Sequence, residues 1–317
     1  MSNHSLLLRQ IRFEALSVHS FELVHPDGHE LPPFTAGAHI DMHLPGGLVR
    51  QYSLCNNPAE RHRYVVGILK EETGRGGSHT AHEQLRVGQQ VSVSEPRNHF
   101  ELHPETQHAV LLGGGIGITP LKAMAHALAL RGVSYELHYC ARNAGRAAFA
   151  DELHALGHTQ FHFDQGNPAQ GLDVVALLRK PPAGTHLYYC GPSGFMATCE
   201  SASTHWPTGA VHCEHFKAPE PDASSAVQTQ PGGFVAEIAS TGQRISVGAQ
   251  TSLADALIDA GIALQTSCIS GLCGTCKVSY RSGDVDHRDH ILDDAERSHC
   301  LTACVSRAHH GLLVLEL

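Results

Sequence analysis

The first hundred residues alternate between short apolar stretches and turn-forming residues. Each stretch either alternates apolar and polar positions or is rich in β-branched side chains, and Gly and Pro separate one stretch from the next. The stretches lie at residues 21–24, 39–44, 49–54, 64–69 and 91–94. Short strands at this spacing are typical of antiparallel sheets that close on themselves. The pattern predicts an antiparallel β-barrel over residues 1–104.

Beyond residue 105 the pattern changes to alternating strands and helices. The apolar segment AVLL at 109–112 precedes a glycine-rich loop, the helical run LKAMAHALALRG and the strand-like segment YELHYCA. The alternation continues through FHFD, DVVALLRK, HLYYC and GFMATCESA. A chain that alternates in this way forms a parallel sheet with helices on both faces. We predict such a doubly wound α/β domain over residues 105–217.

A segment without hydrophobic periodicity separates this domain from the end of the chain. Residues 218–231 (APEPDASSAVQTQP) are rich in Pro, Ala, Ser and Gln, so they bury too little apolar surface to fold alone and are interpreted as a linker. After it, FVAEIAS and QRISVG are typical of a hairpin, and TSLADALIDAG is typical of a helix that ends at Gly261. Residues 232–317 are expected to form a small α+β domain.

Composition supports packed domains and excludes two kinds of partner. The 317 residues are 42% hydrophobic and 17% charged, which is the balance of an ordinary globular protein. A net charge of -9 with scattered basic residues disfavours nucleic-acid binding, because phosphate recognition needs clustered Lys and Arg. No run approaches the ~18 apolar residues that span a bilayer, and the N-terminal residues lack a signal-peptide pattern. We expect no membrane association and a cytoplasmic location.

The strongest chemical signal is a cysteine-rich loop. Cys268, Cys273 and Cys276 have the spacing C-x4-C-x2-C, which is the plant-type 2Fe-2S pattern. A structural zinc site is the alternative, but zinc loops favour paired CxxC or Cys/His sets, and this region has one CxxC. A fourth thiolate has to come from elsewhere in the chain. Cys300 and Cys304 are both candidates, and spacing alone does not rank them.

Two glycine-containing loops follow predicted strands of the α/β domain. Residues 113–120 (GGGIGITP) lie between a strand and a helix, where backbone N–H groups and the helix N-terminus can bind a pyrophosphate. Residues 189–196 (YCGPSGFM) end another strand, at what should be the same carboxyl edge. Close strand-to-helix packing and a plain turn are the alternative explanations. Together the loops favour a dinucleotide site in one crevice.

The whole chain resembles the phthalate dioxygenase reductase and vanillate demethylase reductase family, within the ferredoxin-NADP reductase-like flavoproteins. The resemblance rests on motifs in matching order: RQYS at 50–53, GRGGS at 74–78, PRNHF at 96–100, the two glycine loops, EHF at 214–216, C-x4-C-x2-C, DHRD at 286–289 and CVSRA at 304–308. It implies a flavin barrel that holds FMN, then a nicotinamide domain, then a β-grasp ferredoxin. It also favours Cys304 as the fourth ligand of the cluster.

The resemblance also implies the roles of individual residues. Arg50 would pair with the flavin phosphate, Tyr52 would lie on the ring system, and Ser53 would hydrogen-bond near the reactive ring nitrogen. The remaining FMN contacts that it implies are Gly76, Gly77 and Ser78 at the phosphate, Ile68 and Lys70 along the pyrimidine edge, Phe216 over the other ring face, and Thr119 where the two domains meet. The implied NAD contacts are Gly114, Gly115, Gly117, Arg142, Cys190, Gly191 and Pro192. The implied catalytic set is Ser53, Thr119 and Glu214.

Function follows from the order of these modules. A hydride carries two electrons and an iron-sulfur centre accepts one, so a flavin is the natural converter between them. The resemblance favours NADH as the hydride donor. The residues agree with it, since Arg142 and Arg146 alone are a weak signal for binding the 2′-phosphate of NADPH. The resemblance implies a Rieske-type oxygenase acting on an aromatic acid or ether as electron acceptor. The alternatives are another acceptor, such as a monooxygenase haem or a ferric complex, and a non-enzymatic redox sensor.

Overall fold

The computed structural model describes residues 3–72, 76–216, 233–309 and 311–317. These residues fall into two compact units, Met1–Phe216 and Lys217–Leu317. The predicted linker at 218–231 lies outside the described residues, as do Gly74 and Arg75. Among the described residues no helix is both long and apolar enough to cross a membrane.

The first unit begins with the predicted antiparallel barrel. Its elements are β1 (Asn3–Ala15), β2 (Val18–Val24), β3 (His39–Leu44), β4 (Leu48–Ser53), β5 (Tyr64–Leu69), α1 (Gly77–Gln84) and β6 (Gln90–Ser94). The strands form one sheet in the order β4-β3-β6-β1-β2-β5. A bridge between Leu54 and Val66 joins the two end strands, so the sheet closes around a core that includes Leu6, Phe21 and Ile40.

The α/β part of the first unit is the predicted parallel sheet. Its elements are β7 (His108–Gly114), α2 (Ile118–Arg131), β8 (Ser134–Ala141), α3 (Ala150–Leu156), β9 (Thr159–Phe163), α4 (Val174–Leu178), β10 (Thr185–Cys190), α5 (Ser193–Ser203) and β11 (Val211–Glu214). The strand order is β11-β10-β7-β8-β9, and every pair is parallel. Alternate residues of β7 enter different cores: Leu111 lies with α2, and Leu112 lies with α4 and α5. Both faces of the sheet are therefore covered.

The second unit is a small mixed sheet with one helix packed in its core. Its elements are β12 (Phe234–Ile238), β13 (Arg244–Val247), α6 (Leu253–Asp259), β14 (Lys277–Ser282), β15 (Val285–Asp286), α7 (Asp294–Arg297), β16 (Cys300–Thr302), β17 (Arg307–Ala308) and β18 (Leu312–Leu315). The main sheet has the order β13-β12-β18-β14-β16, with β12 and β18 parallel. Ser252 caps α6, since its side chain accepts a hydrogen bond from Asp255 N. The cysteine loop lies between α6 and β14.

Candidate cofactor and electron-transfer sites

The second unit brings together the cysteines that the spacing singled out. The thiol of Cys268 contacts those of Cys273 and Cys304, and the thiol of Cys276 also contacts that of Cys304. These contacts lower the pKa of Cys268 and Cys276 and raise the pKa of Cys273 and Cys304. Four thiols joined in this way are a donor set suited to an iron-sulfur cluster, which binds cysteines as thiolates. Cys300 is directed elsewhere, because its sulfur lies 3.6 Å from the hydroxyl of Ser279 on the neighbouring strand.

The backbone of the cysteine loop points N–H groups at sulfur. Leu272 N donates to Cys268 Sγ at 3.4 Å, and Thr275 N donates to Cys273 Sγ at 3.5 Å. Gly271 has a φ of +72°, and a Cβ there would lie 2.7 Å from Val305 Cγ2. Only glycine fits both that conformation and that space. Hydrogen bonds of this kind tune the potential of a cluster.

The DHRD motif packs against the cysteine loop. The side chain of Asp289 is fully buried, and its Oδ2 accepts from Leu292 N at 2.9 Å. Arg297 Nη2 donates to the Asp289 carbonyl at 2.9 Å. A Cβ at Gly271 would lie 3.1 Å from Asp289 Cα, so the two segments are in close contact. The family resemblance includes this motif but implies no role for Asp289, so its contacts come from the structure alone.

In the barrel, Arg50 lies against the first residue of α1. A Cβ at Gly77 would lie 2.5 Å from both Cγ and Nε of Arg50, so a larger residue at position 77 would displace the Arg50 side chain. Gly76 caps the helix with a left-handed φ of +79°. A guanidinium beside a helix N-terminus is a favourable place for a phosphate, because both present N–H donors to the anion. The structure thus brings Arg50, Gly76 and Gly77 together.

The other predicted flavin residues in the barrel occupy distinct positions. Tyr52 is partly buried against the barrel core, and burial raises its pKa to about 12. The Ile68 side chain is buried, and its carbonyl oxygen lies 2.9 Å from His82 Nε2 on α1. Lys70 Nζ is paired with Glu83 at 2.7 Å. His82, which no sequence motif marks, links the predicted phosphate site on α1 to the strand of the predicted ring site.

Ser78 continues the link between α1 and the loop after β5. Its hydroxyl accepts a hydrogen bond from Glu71 N at 3.1 Å. The contact holds the helix start near the end of β5, although residues 73–75 between them lie outside the described part of the chain.

The two glycine loops of the α/β part are in direct contact. A Cβ at Gly117 would lie 2.2 Å from the Cys190 carbonyl oxygen, and one at Gly191 would lie 3.0 Å from Gly114 Cα. Pro192 also lies close to Gly114, since a Cβ at Gly114 would lie 2.9 Å from Pro192 Cδ. Both loops follow neighbouring parallel strands, since Cys190 pairs with Gly113. They therefore share one carboxyl edge of the sheet, as the sequence predicted.

The other predicted NAD residues lie at the same edge. Gly115 adopts a φ of +55°, which suits a glycine turn. Arg142 follows β8 and is exposed, with its carbonyl oxygen accepting from Gln165 N at 2.9 Å. Cys190 is fully buried, and burial raises the pKa of its thiol well above the ordinary value. Any contact it makes with a nucleotide is therefore that of a neutral thiol.

Ser53 and Glu214 join the barrel to the parallel sheet. Ser53 ends β4, Glu214 ends β11, and the Ser53 hydroxyl donates to Glu214 Oε2 at 3.3 Å. Burial raises the pKa of Glu214 to about 8, against the lowering effect of the Ser53 hydrogen bond. At neutral pH the carboxyl is mostly protonated. A carboxyl group with a raised pKa at the crevice of an α/β sheet has the character of a functional site.

Thr119 and Phe216 complete the predicted site. Thr119 is buried, and a Cβ at Gly67 on β5 would lie 2.8 Å from its Cγ2, so it lies where the barrel meets the α/β part. Phe216 is 40% exposed, two residues after Glu214. An exposed aromatic ring at this position is free to cover a ligand.

The comparisons with known proteins cover almost the entire chain. A family model described as a 2Fe-2S iron-sulfur cluster binding domain matches residues 236–309. The tert-butanol monooxygenase / tert-amyl alcohol desaturase reductase subunit of Aquincola tertiaricarbonis is 49% identical, over 99% of this chain and 96% of that protein. The vanillate O-demethylase oxidoreductase of Pseudomonas sp. (strain HR199 / DSM 7063) is 44% identical, over 98% of this chain and 99% of that protein.

A solved structure agrees with these relatives. Phthalate dioxygenase reductase, described as a modular structure for electron transfer from pyridine nucleotides to [2Fe-2S], matches with a TM-score of 0.76 and 37% identity. The match covers 100% of this chain and 98% of that one. At these identities and coverages, the chain belongs to the family of phthalate dioxygenase and vanillate O-demethylase reductases, the iron-sulfur flavoprotein reductases of oxygenase systems.

Proposed function

We propose that this chain takes hydride from NADH onto bound FMN and passes single electrons through its 2Fe-2S cluster to a Rieske-type oxygenase. The observation that carries the proposal is the hydrogen bond between Ser53 and Glu214. This bond joins the last residue of β4 to the last residue of β11. It supports the proposal because the glycine loops, where we propose that the nicotinamide nucleotide binds, follow neighbouring strands at the same carboxyl edge. The same chain carries a four-cysteine set for the cluster.

The barrel residues fit FMN. Arg50 and the N-terminus of α1 together offer charge and N–H donors to a phosphate monoester. When bound, FMN supplies the conversion between two-electron and one-electron transfer. Tyr52 provides an aromatic surface for a ring system, and Ser53 has one hydroxyl proton to donate. The chain's own task is to orient these groups and exclude water between the barrel and the sheet.

The acceptor is proposed from the relatives. Those reported above serve a monooxygenase/desaturase and an O-demethylase, so we propose that this chain serves an oxygenase of the same kind. The aromatic substrate would be selected by the binding pocket of the oxygenase, not by this chain. We further propose a cytoplasmic location, because the proposed donor is NADH and none of the ten cysteines, all of which lie in the described residues, forms a disulfide, as in proteins of a reducing compartment.

Anaerobic titration of the purified protein with NADH tests this function. We expect both flavin and cluster absorbance to bleach, and the cofactor released on denaturation to have the mass of FMN. If NADH leaves the cluster absorbance unchanged, the proposed hydride site is wrong, and the redox-sensor function becomes the better explanation of the cluster. Bleaching of both centres without turnover of a Rieske-type oxygenase, but with reduction of a haem monooxygenase or ferric complex, would change only the acceptor.

Replacing Arg50 is expected to weaken FMN binding. Arg50→Gln removes a charge-assisted contact worth about 1.5–3 kcal/mol, so we expect the Kd for FMN to rise about 10- to 150-fold while the helix N-terminus still holds the phosphate. Fluorescence titration of the deflavinated protein measures the change. Arg12→Gln is the matched control, because the Arg12 side chain is 60% exposed and contacts only Glu14, at 3.7 Å, among the ion pairs of the described residues. Equal Kd values for wild type and Arg50→Gln would remove Arg50 from the site.

A further inference from the structure

Lys122 is a lysine inside the apolar face of α2. Its side chain is 2% exposed, and its ammonium group has three donors. Nζ donates to the Cys55 carbonyl at 2.8 Å, lies 2.8 Å from Glu152 Oε1, and stands 4.7 Å above the Phe149 ring centre. Carbonyl, carboxylate and ring face together satisfy the buried charge.

These contacts cross from the α/β part to the barrel. Lys122, Phe149 and Glu152 belong to the α/β part, and we call them the Lys122 clamp. Cys55 belongs to the barrel, two residues after Ser53. The clamp therefore fixes the backbone just beyond the strand that ends in Ser53. A buried charge keeps its geometry tightly, because leaving it unpaired is costly.

A second contact of the same helix reinforces the first. Thr119 lies one turn before Lys122 and presses against Gly67 of β5, as does Phe149, whose Cζ would lie 3.0 Å from a Cβ there. Phe149 holds a left-handed φ of +59°, which is uncommon for a bulky residue and persists only where the surroundings impose it. The clamp and Thr119 thus contact both the segment just after β4 and the middle of β5. These are the strands that carry Ser53 and Ile68.

We propose that Lys122 is a positioning residue for hydride transfer: it sets the barrel against the α/β part so that Ser53 stays in register with Glu214 and the nicotinamide crevice. The inference rests on the proposed function. Hydride transfer requires close approach of the two reacting atoms, and a misplacement of about 1 Å can cost about a hundredfold in rate. Lys122 touches neither predicted cofactor site directly. It acts through Cys55 and Ser53.

Lys122→Met tests the proposal, because methionine has a similar length and no donor. In anaerobic stopped-flow with saturating NADH, we expect the rate of flavin reduction to fall about tenfold, with the Kd for NADH and the FMN content unchanged within about twofold. Lys180→Met, at an exposed lysine, is the matched control and should behave as wild type. A normal flavin reduction rate in Lys122→Met, with only the melting temperature lowered, would make Lys122 a purely structural residue and overturn the proposal.

Hydrogen exchange provides a readout that does not depend on activity. Amide exchange in residues 54–56 should be faster in Lys122→Met than in wild type, because the Cys55 carbonyl loses its donor. If Lys122→Met fails to fold, Glu152→Ala replaces it, since Glu152 is 45% exposed and its removal leaves Lys122 without its carboxylate partner. We expect faster exchange at 54–56 and a smaller fall in flavin reduction, and no change in either would overturn the proposal. A wild type that does not oxidise NADH would instead refute the proposed function, and exchange at 54–56 would still show whether Lys122 holds Cys55.

Discussion

Cys304→Ser is expected to abolish the cluster while leaving flavin reduction intact. Cys304 contacts both Cys268 and Cys276, so its thiolate closes the set from a distant part of the chain. Changes around a metal site that spare the ligands already cost about 10- to 100-fold, so the loss of a ligand should lower cluster-dependent output at least about a hundredfold. Iron content, cluster absorbance and NADH-driven cytochrome c reduction measure the loss. NADH-driven ferricyanide reduction, which the flavin alone supports, should persist.

Cys300→Ser is the matched control four residues away. Cys300 is buried on β16 beside Ser279, where a serine keeps the size and the polar contact. We expect normal iron content and normal cytochrome c reduction. The opposite pattern, with iron lost in Cys300→Ser and retained in Cys304→Ser, would move the fourth ligand to Cys300. It would contradict both the contacts in the second unit and the family resemblance.

Periodicity predicted the barrel and the parallel sheet because their strands are bounded by Gly and Pro. The sequence patterns at 39–44 and 64–69 match β3 and β5 to the residue. The long strand β1 was not predicted, since half of its residues are polar or charged and only its register with β2 and β6 buries Leu6 and Leu8. Helix α1 was missed for a similar reason. Its sequence GSHTAHEQ has almost no apolar face, and Ala81 is its one buried side chain larger than hydrogen among the described residues.

The division into domains stays a prediction. The predicted boundary at 104/105 separates two sheets that belong to one compact unit. Within that unit, a hydrogen bond joins Lys122 to Cys55, and no local sequence pattern predicts this contact. The second unit begins at Lys217, and the predicted bounds of the linker and of the last domain stay predictions.

The candidate site shows the same difference between local and long-range information. Motifs located the glycine loops and the cysteine loop, because both chemistries need several residues at short spacing. The hydrogen bond between Ser53 and Glu214 joins residues 161 positions apart, and only folding brings them together. Lys122 had one signal in the sequence, a lone charge within the apolar run LKAMAHALAL. That signal shows burial of a lysine, and it does not show which partner satisfies it.

Flavin reduction by NADH is expected to slow as pH rises through about 8, where Glu214 ionises. The structure has Ser53 as the donor to Glu214, which is the arrangement that suits the carboxylate. Once Glu214 is protonated it can donate to Ser53 instead, which would leave the single Ser53 proton available to the flavin ring nitrogen. Above pH 8 the Ser53 hydroxyl donates to the Glu214 carboxylate, so the flavin ring nitrogen would lose its hydrogen-bond donor. The loss of one positioned hydrogen-bond donor at a site of developing charge typically costs about 10²–10³-fold, and we expect a fall of roughly a hundredfold. Stopped-flow rates at saturating NADH between pH 6 and 9.5 measure it.

Glu214→Gln separates this titration from any other. The glutamine amide donates to Ser53 at every pH, so the rate should stay high and flat across the range, whereas Ser53→Ala should be slow throughout. Stability provides an independent reading: the pKa of Glu214 is raised from 4.5 to about 8 on folding, so the folded protein binds the proton more tightly. Glu214 should therefore lower stability progressively as pH rises from about 4.5 to about 8. Glu214→Gln should lose that part of the decline in melting temperature, and a variant that still slows near pH 8 would assign the titration to another group.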